Sequence, residues 1–323
     1  MRKRTFVGAL LCLAVAAAFA QQAVMPRVGW ALSTSAQGGQ HLVEAIRAGL
    51  ADEGFVDGRN VTLDVRFLDG KTERYPEVFA DLIRMPVQVL AASGQQGIGA
   101  ARDSSGGRIP VSGFFCGNNV TEMVAEFARP GGNITGVSCQ SAELAVKRVE
   151  LLHLAIPKLR RVGLLYDAKN RSKDKEISDT REAAARFGIE LIVVTAASSE
   201  ELPDAITALR RARAEALLIS EEPFTFGNRA RIVALANEAG LPSMSAFRDF
   251  VAVGGFMSYG ASVIERLRHQ ARYAGRILKG TKPSDLPIDQ AIRFEFVVNL
   301  KAARAFGLTI PASVMLRADE VIE

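Results

Sequence analysis

The glycine-rich stretch "ARPGGNITGVS", residues 128–138, is the sequence's candidate for a phosphate-binding loop. Such a loop follows a strand and opens a helix, so that its backbone N–H groups can point at a phosphate. Here Pro-Gly-Gly-Asn stands before a β-branched run instead, and the stretch contains neither G-x-G-x-x-G nor G-K-[ST]. The pattern therefore predicts a turn that enters a strand, and it gives no support to a nucleotide site.

Side chains suited to covalent or metal chemistry are sparse. His41, His153 and His269 fall on separate predicted helices, and none has a second potential ligand at i+4. The chain has no G-x-S-x-G elbow and no C-x-x-C pair. We predict no catalytic residue, no metal and no cofactor. An exported α/β enzyme stays open as an alternative, because triads also assemble from distant positions.

Polar residues cluster where predicted strands end in the first half of the chain. "STSAQGG" follows the strand "RVGWAL", "SGQQG" follows "VQVLAAS", and each polar stretch precedes a helix. Open parallel sheets bind ligands at the carboxyl ends of their strands, and helix starts offer free N–H groups to anions. We expect these loops to hold a carboxylate, although each residue could equally be an ordinary turn or N-cap residue. The candidates are Ser33, Thr34, Ser35, Ser93, Gly94 and Gln95.

The equivalent positions of the second half carry aromatic and acidic residues. "YDAKN", "SEEPF" and "FRDF" follow the corresponding predicted strands. Aromatic rings and carboxylates together suit an apolar side chain and an ammonium group. The candidates are Tyr166, Asp167, Glu222, Phe224, Phe247 and Asp249.

Short apolar runs alternate with helical periodicity along the chain, which predicts βαβ units and parallel sheet. The second half repeats the first: Gly54 follows the strand at Arg27 at the same spacing as Gly188 follows the strand at Arg161, and each glycine is expected to end a helix. The predicted fold class is α/β, with two similar doubly wound, Rossmann-like lobes joined by a hinge around a cleft.

Residues 1–20 have the pattern of a secretory signal peptide: cations at the start, an apolar run and an Ala18-Phe19-Ala20 cleavage site. The apolar run of about 15 residues is shorter than the roughly 20 that a membrane span needs. Cleavage would take three cations from a net charge of +5, so the basic balance does not imply a nucleic-acid partner. We predict a periplasmic protein in which Cys116 and Cys139 are either bridged or both free.

Several motifs together resemble the ABC-transporter substrate-binding family with the type I periplasmic binding protein fold. They are "ARPGGNITGVS", "KRVELL" at Lys147, "FVAVGGFMSYG" at Phe250, "AGRILKGTKPSDLPI" at Ala274 and the C-terminal "FEFVVNLKAARAFGLTIPASVMLRADEVIE". The resemblance covers nearly all of the predicted mature chain, in the branch whose better-understood members bind aromatic or other hydrophobic amino acids. It implies a monomer that captures a small solute between its lobes and delivers it to the membrane permease of an ABC transporter.

The resemblance also implies a lobe division and two further site residues. It places the crossings between lobes near Ser138, Phe247 and Arg293, which assigns 27–138 plus 248–292 to the N-terminal lobe and 139–247 plus 293–323 to the C-terminal lobe. The family's G-x-D-P-like turn is replaced by "FFCGNNV", which puts Phe114 and Cys116 at the cleft. A solute sensor of the same fold is the alternative function, whereas a LacI-type regulator would need a helix-turn-helix where this chain has a signal.

Overall fold

The computed structural model describes residues 25–115, 120–139, 141–170 and 173–323. The predicted signal peptide and Cys116 lie outside the described residues. Cys139 is buried, and its Sγ donates to the carbonyl oxygen of Phe115 over 3.1 Å. Whether Cys116 and Cys139 form a disulfide therefore stays an open prediction.

The strands follow the order that the apolar runs predict. They are β1 (Arg27–Leu32), β2 (Thr62–Phe67), β3 (Val89–Ser93), β4 (Val111–Phe115), β5 (Ile134–Ser138), β6 (Arg161–Asp167), β7 (Glu190–Ala196), β8 (Ala216–Ile219), β9 (Ser243–Ser245), β10 (Met257–Ala261), β11 (Asp289–Gln290), β12 (Phe294–Asn299) and β13 (Glu320–Ile322). The glycine-rich loop leads directly into β5, so the prediction of a turn entering a strand is confirmed.

Helices alternate with these strands. They are α1 (Gln40–Asp52), α2 (Tyr75–Leu82), α3 (Gly94–Ser104), α4 (Val120–Met123), α5 (Ser141–Ala155), α6 (Asp174–Arg186), α7 (Leu202–Arg211), α8 (Pro223–Gly227), α9 (Arg229–Glu238), α10 (Arg248–Ala252), α11 (Val263–Leu278), α12 (Leu300–Ala305) and α13 (Ala312–Met315). None of the helices in the described part of the chain is long and apolar enough to cross a membrane.

Two sheets form the cores of two lobes. The first has the order β11-β5-β4-β3-β1-β2, with parallel neighbours, and the second has the order β13-β12-β10-β9-β8-β6-β7. In the second sheet β12 runs antiparallel to β10. Every residue of β4 is buried, as expected for a strand covered by helices on both faces. The shared order 5-4-3-1-2 and 10-9-8-6-7 confirms the predicted pair of similar α/β lobes.

The chain passes between the lobes beside strand ends. It leaves the first sheet after β5, returns between β10 and α11, and leaves again between β11 and β12. The prediction of a crossing near Phe247 was wrong, because β10 hydrogen-bonds to β9 and β12 in the second sheet and the crossing therefore lies at Ser262. Each lobe completes five strands before the chain crosses to the other lobe.

Candidate functional site

A cavity of about 40 Å³ lies between the lobes at the carboxyl ends of the parallel strands. This volume is far below the roughly 300 to 1,000 Å³ that is typical of small-molecule sites, so a solute can enter only when the lobes move apart. The lining is mostly apolar with a few polar groups. It comprises Leu32, Ser33, Thr34, Leu42, Ser93, Phe114, Val263 and Leu267 from the first lobe and Glu222, Pro223, Phe226 and Phe247 from the second.

The polar groups of the first lobe come from the loops after β1 and β3. Ser33 and Thr34 are buried and line the cavity, and half-buried Ser93 joins them. Ser93 is the N-cap residue of α3, yet its side chain makes no capping hydrogen bond. Ser35 is not part of the lining, and its Oγ accepts from the backbone N–H of Gly38 over 3.1 Å. Ser35 is therefore a turn residue, while the other three residues line the cavity.

The remaining two candidates of the first lobe, Gly94 and Gln95, stand next to the lining rather than in it. Gly94 has φ +70°, and a Cβ at this position would lie 2.6 Å from Cγ of Pro223 in the other lobe. The next residue, Gln96, donates from Nε2 to Oδ2 of Asp167 over 3.2 Å. The start of α3 thus serves as a contact surface between the lobes.

Glu222 is the acid of the cavity lining. Its Oε1 accepts from the backbone N–H of Asp167 over 2.6 Å, and its Oε2 accepts from Nδ2 of Asn170 over 2.7 Å. Burial raises the pKa of this carboxyl to about 7, although the charge of Lys173 and both hydrogen bonds oppose the shift. A cationic group in the cavity would favour the ionised form of Glu222.

A buried charge cluster supports Glu222 from behind. Lys173 donates from Nζ to Glu176 Oε2 over 2.6 Å and to the backbone oxygen of Glu221 over 2.7 Å. Burial disfavours the charged form of Lys173, but the carboxylates of Glu176 and Glu222 outweigh it and raise the pKa of this amine. Burial also raises the pKa of Asp167. Acids outnumber cations here, which gives the second-lobe wall a negative character.

Aromatic rings supply much of the apolar wall. Phe114, Phe226 and Phe247 line the cavity, and the rings of Phe226 and Phe247 meet edge to face with centroids 5.5 Å apart. Of the other predicted aromatics, Phe224 is buried in the core and half-buried Tyr166 lies outside the lining. Phe226 was missed in the sequence, although it lies two residues after the predicted Phe224 in the same segment after β8.

Several other lining residues were also missed, and they share one pattern. Leu42 belongs to the apolar face of α1, and Val263 and Leu267 are one helical turn apart on α11. The sequence predicts these residues to lie in the hydrophobic core, because apolar residues of a core and of a cavity wall recur with the same helical periodicity. Pro223 was missed because it has neither a polar nor an aromatic side chain, the two features used to select candidates at the strand ends.

Asp249 belongs to a second, outer cavity of about 400 Å³ between the lobes. Its Oδ1 lies 2.7 Å from Nε2 of His41, which comes from the first lobe. Arg229 also lines this outer cavity and crosses between the lobes, with Nη1 donating to Thr34 Oγ1 over 2.9 Å and Nη2 to the carbonyl oxygen of Gly38 over 2.7 Å. Sequence reasoning did not single out Arg229.

Within the ranges that the structure describes, no group of three or more His, Cys, Asp or Glu side chains could hold a metal ion. What the inner cavity offers is one buried carboxyl, three hydroxyls and an apolar wall, which can bind a small amphipathic molecule by hydrogen bonds and packing.

Comparison with known proteins identifies the family. The model of the family "ABC transporter substrate binding protein" matches residues 28–322. The chain belongs to this family. The resemblance seen in the sequence motifs is thereby confirmed.

This chain is similar to several known proteins at low sequence identity. A tyrosine-binding protein of Clostridioides difficile (strain R20291) is 22% identical over 281 residues, which cover 84% of this chain and 79% of that protein. A conserved domain protein of Vibrio cholerae has a TM-score of 0.83 at 22% identity, over 92% of this chain and 99% of the other. A Streptococcus pneumoniae domain in complex with L-Trp has a TM-score of 0.82 with the same identity and coverage. These likenesses confirm the type I periplasmic binding protein fold.

Proposed function

We propose that this substrate-binding protein captures an amino acid with an apolar or aromatic side chain between its lobes and delivers it to the permease of an ABC transporter. Binding requires no covalent chemistry: the solute enters the open cleft, and the lobes close over it. The signal-peptide pattern of residues 1–20 supports a periplasmic location. We further propose that the protein acts as a monomer.

One observation carries this proposal: the inner cavity presents opposite chemistry on its two sides. The second lobe contributes the carboxyl of Glu222, whereas the first lobe contributes the hydroxyls of Ser33, Thr34 and Ser93. An α-amino acid carries an ammonium and a carboxylate on one carbon, and these groups match an acid and a set of hydrogen-bond donors. The phenylalanine rings suit the side chain of the solute.

The relatives support the same solute class. One is a tyrosine-binding protein and another was solved with L-Trp. Membership of the ABC transporter family supports a permease as the partner.

A thermal-shift screen followed by titration calorimetry tests the proposal. The mature protein is incubated with L-tryptophan, L-tyrosine, L-phenylalanine, L-leucine and, as charged controls, L-lysine and L-glutamate. At a ligand concentration of about 100 times Kd, binding stabilises the native state by roughly 2.7 kcal/mol and raises Tm by several degrees. We expect this for at least one apolar amino acid and for neither control. Stabilisation by L-lysine or L-glutamate alone would contradict the proposed solute class.

A further inference from the structure

The guanidinium of Arg229 is buried without a carboxylate partner. The residue is only 7% exposed, and none of the described acids lies within ion-pair distance of it. Its Nε has no hydrogen-bond partner among the described residues. Burial lowers the pKa of Arg229, and the charge of Asp249 only partly compensates. A buried cation without a paired anion is costly, so its position calls for an explanation beyond folding.

Arg229 lines the outer cavity, but it contacts two residues that line the inner one. Its carbon Cζ lies 4.7 Å from the ring centroid of Phe226, and Nη1 donates to the Oγ1 of Thr34. Its Nη1 also donates to the carbonyl oxygen of Phe226 over 3.0 Å. Phe226 and Thr34 both line the inner cavity. Because Thr34 Oγ1 accepts from the arginine, the proton of this hydroxyl is left to donate to another acceptor. A solute carboxylate beside Thr34 would be such an acceptor.

These contacts exist only when the lobes are together. Arg229 begins α9 of the second lobe, whereas Thr34 and Gly38 belong to the loop after β1 in the first. Rotation of the lobes away from each other would separate the guanidinium from this loop. The positive charge therefore reaches the Thr34 end of the cavity on closure.

We propose that Arg229 is a closure-dependent specificity residue, which selects a solute with a carboxylate over the same solute with an uncharged amide. The inference rests on the proposed function and adds the group that recognises the anion. The guanidinium charge of Arg229 is linked to the Thr34 hydroxyl by one hydrogen bond. The site is buried and poorly screened, so charge interactions there are strong. Removing the charge of Arg229 should weaken binding of the carboxylate solute far more than binding of its amide.

The test compares acid and amide affinities in variants. L-tryptophan, L-tyrosine, L-phenylalanine and L-leucine are each titrated beside their amides into the wild type, Arg229→Gln, Arg229→Lys and the control Arg248→Gln. Arg248 pairs with Glu320 inside the second lobe and also lines the outer cavity, but it makes no bond to Thr34. Arg229→Met provides a second route, since it removes the charge and keeps an unbranched side chain beside the ring of Phe226.

For the pair that the wild type binds, we expect the acid to bind at least tenfold more tightly than the amide. Arg229→Gln should reduce that ratio at least tenfold, Arg229→Lys should keep part of it, and Arg248→Gln should leave it unchanged. If Arg229→Gln does not fold, the loss of the ratio in Arg229→Met carries the test. Equal weakening of acid and amide would show a merely structural role and overturn the inference, whereas failure of the wild type to bind any of the acids would overturn the proposed function itself.

Discussion

Gln96 and Asp167 join the two lobes, since Nε2 of Gln96 donates to Oδ2 of Asp167 over 3.2 Å. Gln96 lies on α3 of the first lobe, and Asp167 ends β6 of the second. Asp167 also donates its backbone N–H to Glu222, which lines the inner cavity. Asp167 therefore connects the contact between the lobes to Glu222 of the candidate site.

Replacing Gln96 with Ala should weaken solute binding about three- to tenfold, because one hydrogen bond of the closed form is lost. The loss should be found mainly in a faster dissociation rate, measured by stopped-flow fluorescence. Gln88→Ala is the matched control, since the Gln88 side chain accepts from the backbone of Arg27 within the first lobe. Equal effects of the two variants would argue against a role of Gln96 in closure.

Gly227→Ala should block closure without harming the fold. A Cβ at this position would lie 2.5 Å from the carbonyl oxygen of Ser33, which as a backbone atom of the other lobe cannot move aside alone. Alanine suits the helix better than glycine, so the Tm of the solute-free protein should stay equal or rise. We expect at least a tenfold loss of affinity. Small-angle scattering should show that saturating solute decreases the radius of gyration of the wild type more than that of the variant.

Gly99→Ala is the control for this experiment, because a Cβ there would meet no heavy atom closer than Cε of Met123 at 3.9 Å. It should bind like the wild type. A Gly227→Ala variant that closes fully and retains its affinity would contradict the lobe contacts described above.

Variants of Ser93 and Ser35 distinguish a role in solute binding from a role in turn formation. Ser93→Ala should weaken binding about tenfold and leave the Tm of the solute-free protein nearly unchanged, because the hydroxyl makes no capping bond and faces the cavity. Ser35→Ala should do the reverse, since its hydroxyl accepts from Gly38 N–H outside the cavity. Calorimetric Kd and Tm of both variants check this pair. An unchanged Kd in Ser93→Ala would place the solute carboxylate elsewhere.

The raised pKa of Glu222 predicts a pH-dependent stability of the solute-free protein. The folded state holds the proton up to about pH 7, whereas the unfolded chain releases it near its ordinary pKa of 4.5. Stability from this group is therefore complete below pH 4.5 and is lost as pH rises to about 7, by roughly 3 kcal/mol. Chemical denaturation across this range should show a smaller pH dependence for Glu222→Gln. An equal pH dependence of stability in the wild type and in Glu222→Gln would contradict a raised pKa of Glu222.

The fold could be predicted because its signals are local. Buried parallel strands read as apolar runs, and the repeat of Arg27 and Gly54 by Arg161 and Gly188 indicated two lobes. The crossing at Ser262 could not be read from such signals, because β10 is assigned by its hydrogen bonds to β12, a strand distant in sequence.

The candidate site was predictable where it follows strand ends. Ser33, Ser93 and Glu222 were found because carboxyl ends of parallel strands meet at one edge. Leu267 was missed because its spacing on α11 also fits a core residue, and Arg229 was missed because only packing between the lobes brings it to Thr34, which is distant in the chain.

The pH dependence of solute affinity tests the central claim most directly. An ammonium group can pair with Glu222 only when the Glu222 carboxylate is ionised. Titration calorimetry of the best-binding amino acid between about pH 5.5 and about pH 8.5 should therefore show an affinity that falls below pH 7. The fall should approach tenfold for each pH unit. Glu222→Gln should bind weakly and without this pH dependence. Affinity that is constant, or that rises as the pH falls, would contradict an amino acid held by its ammonium group at Glu222.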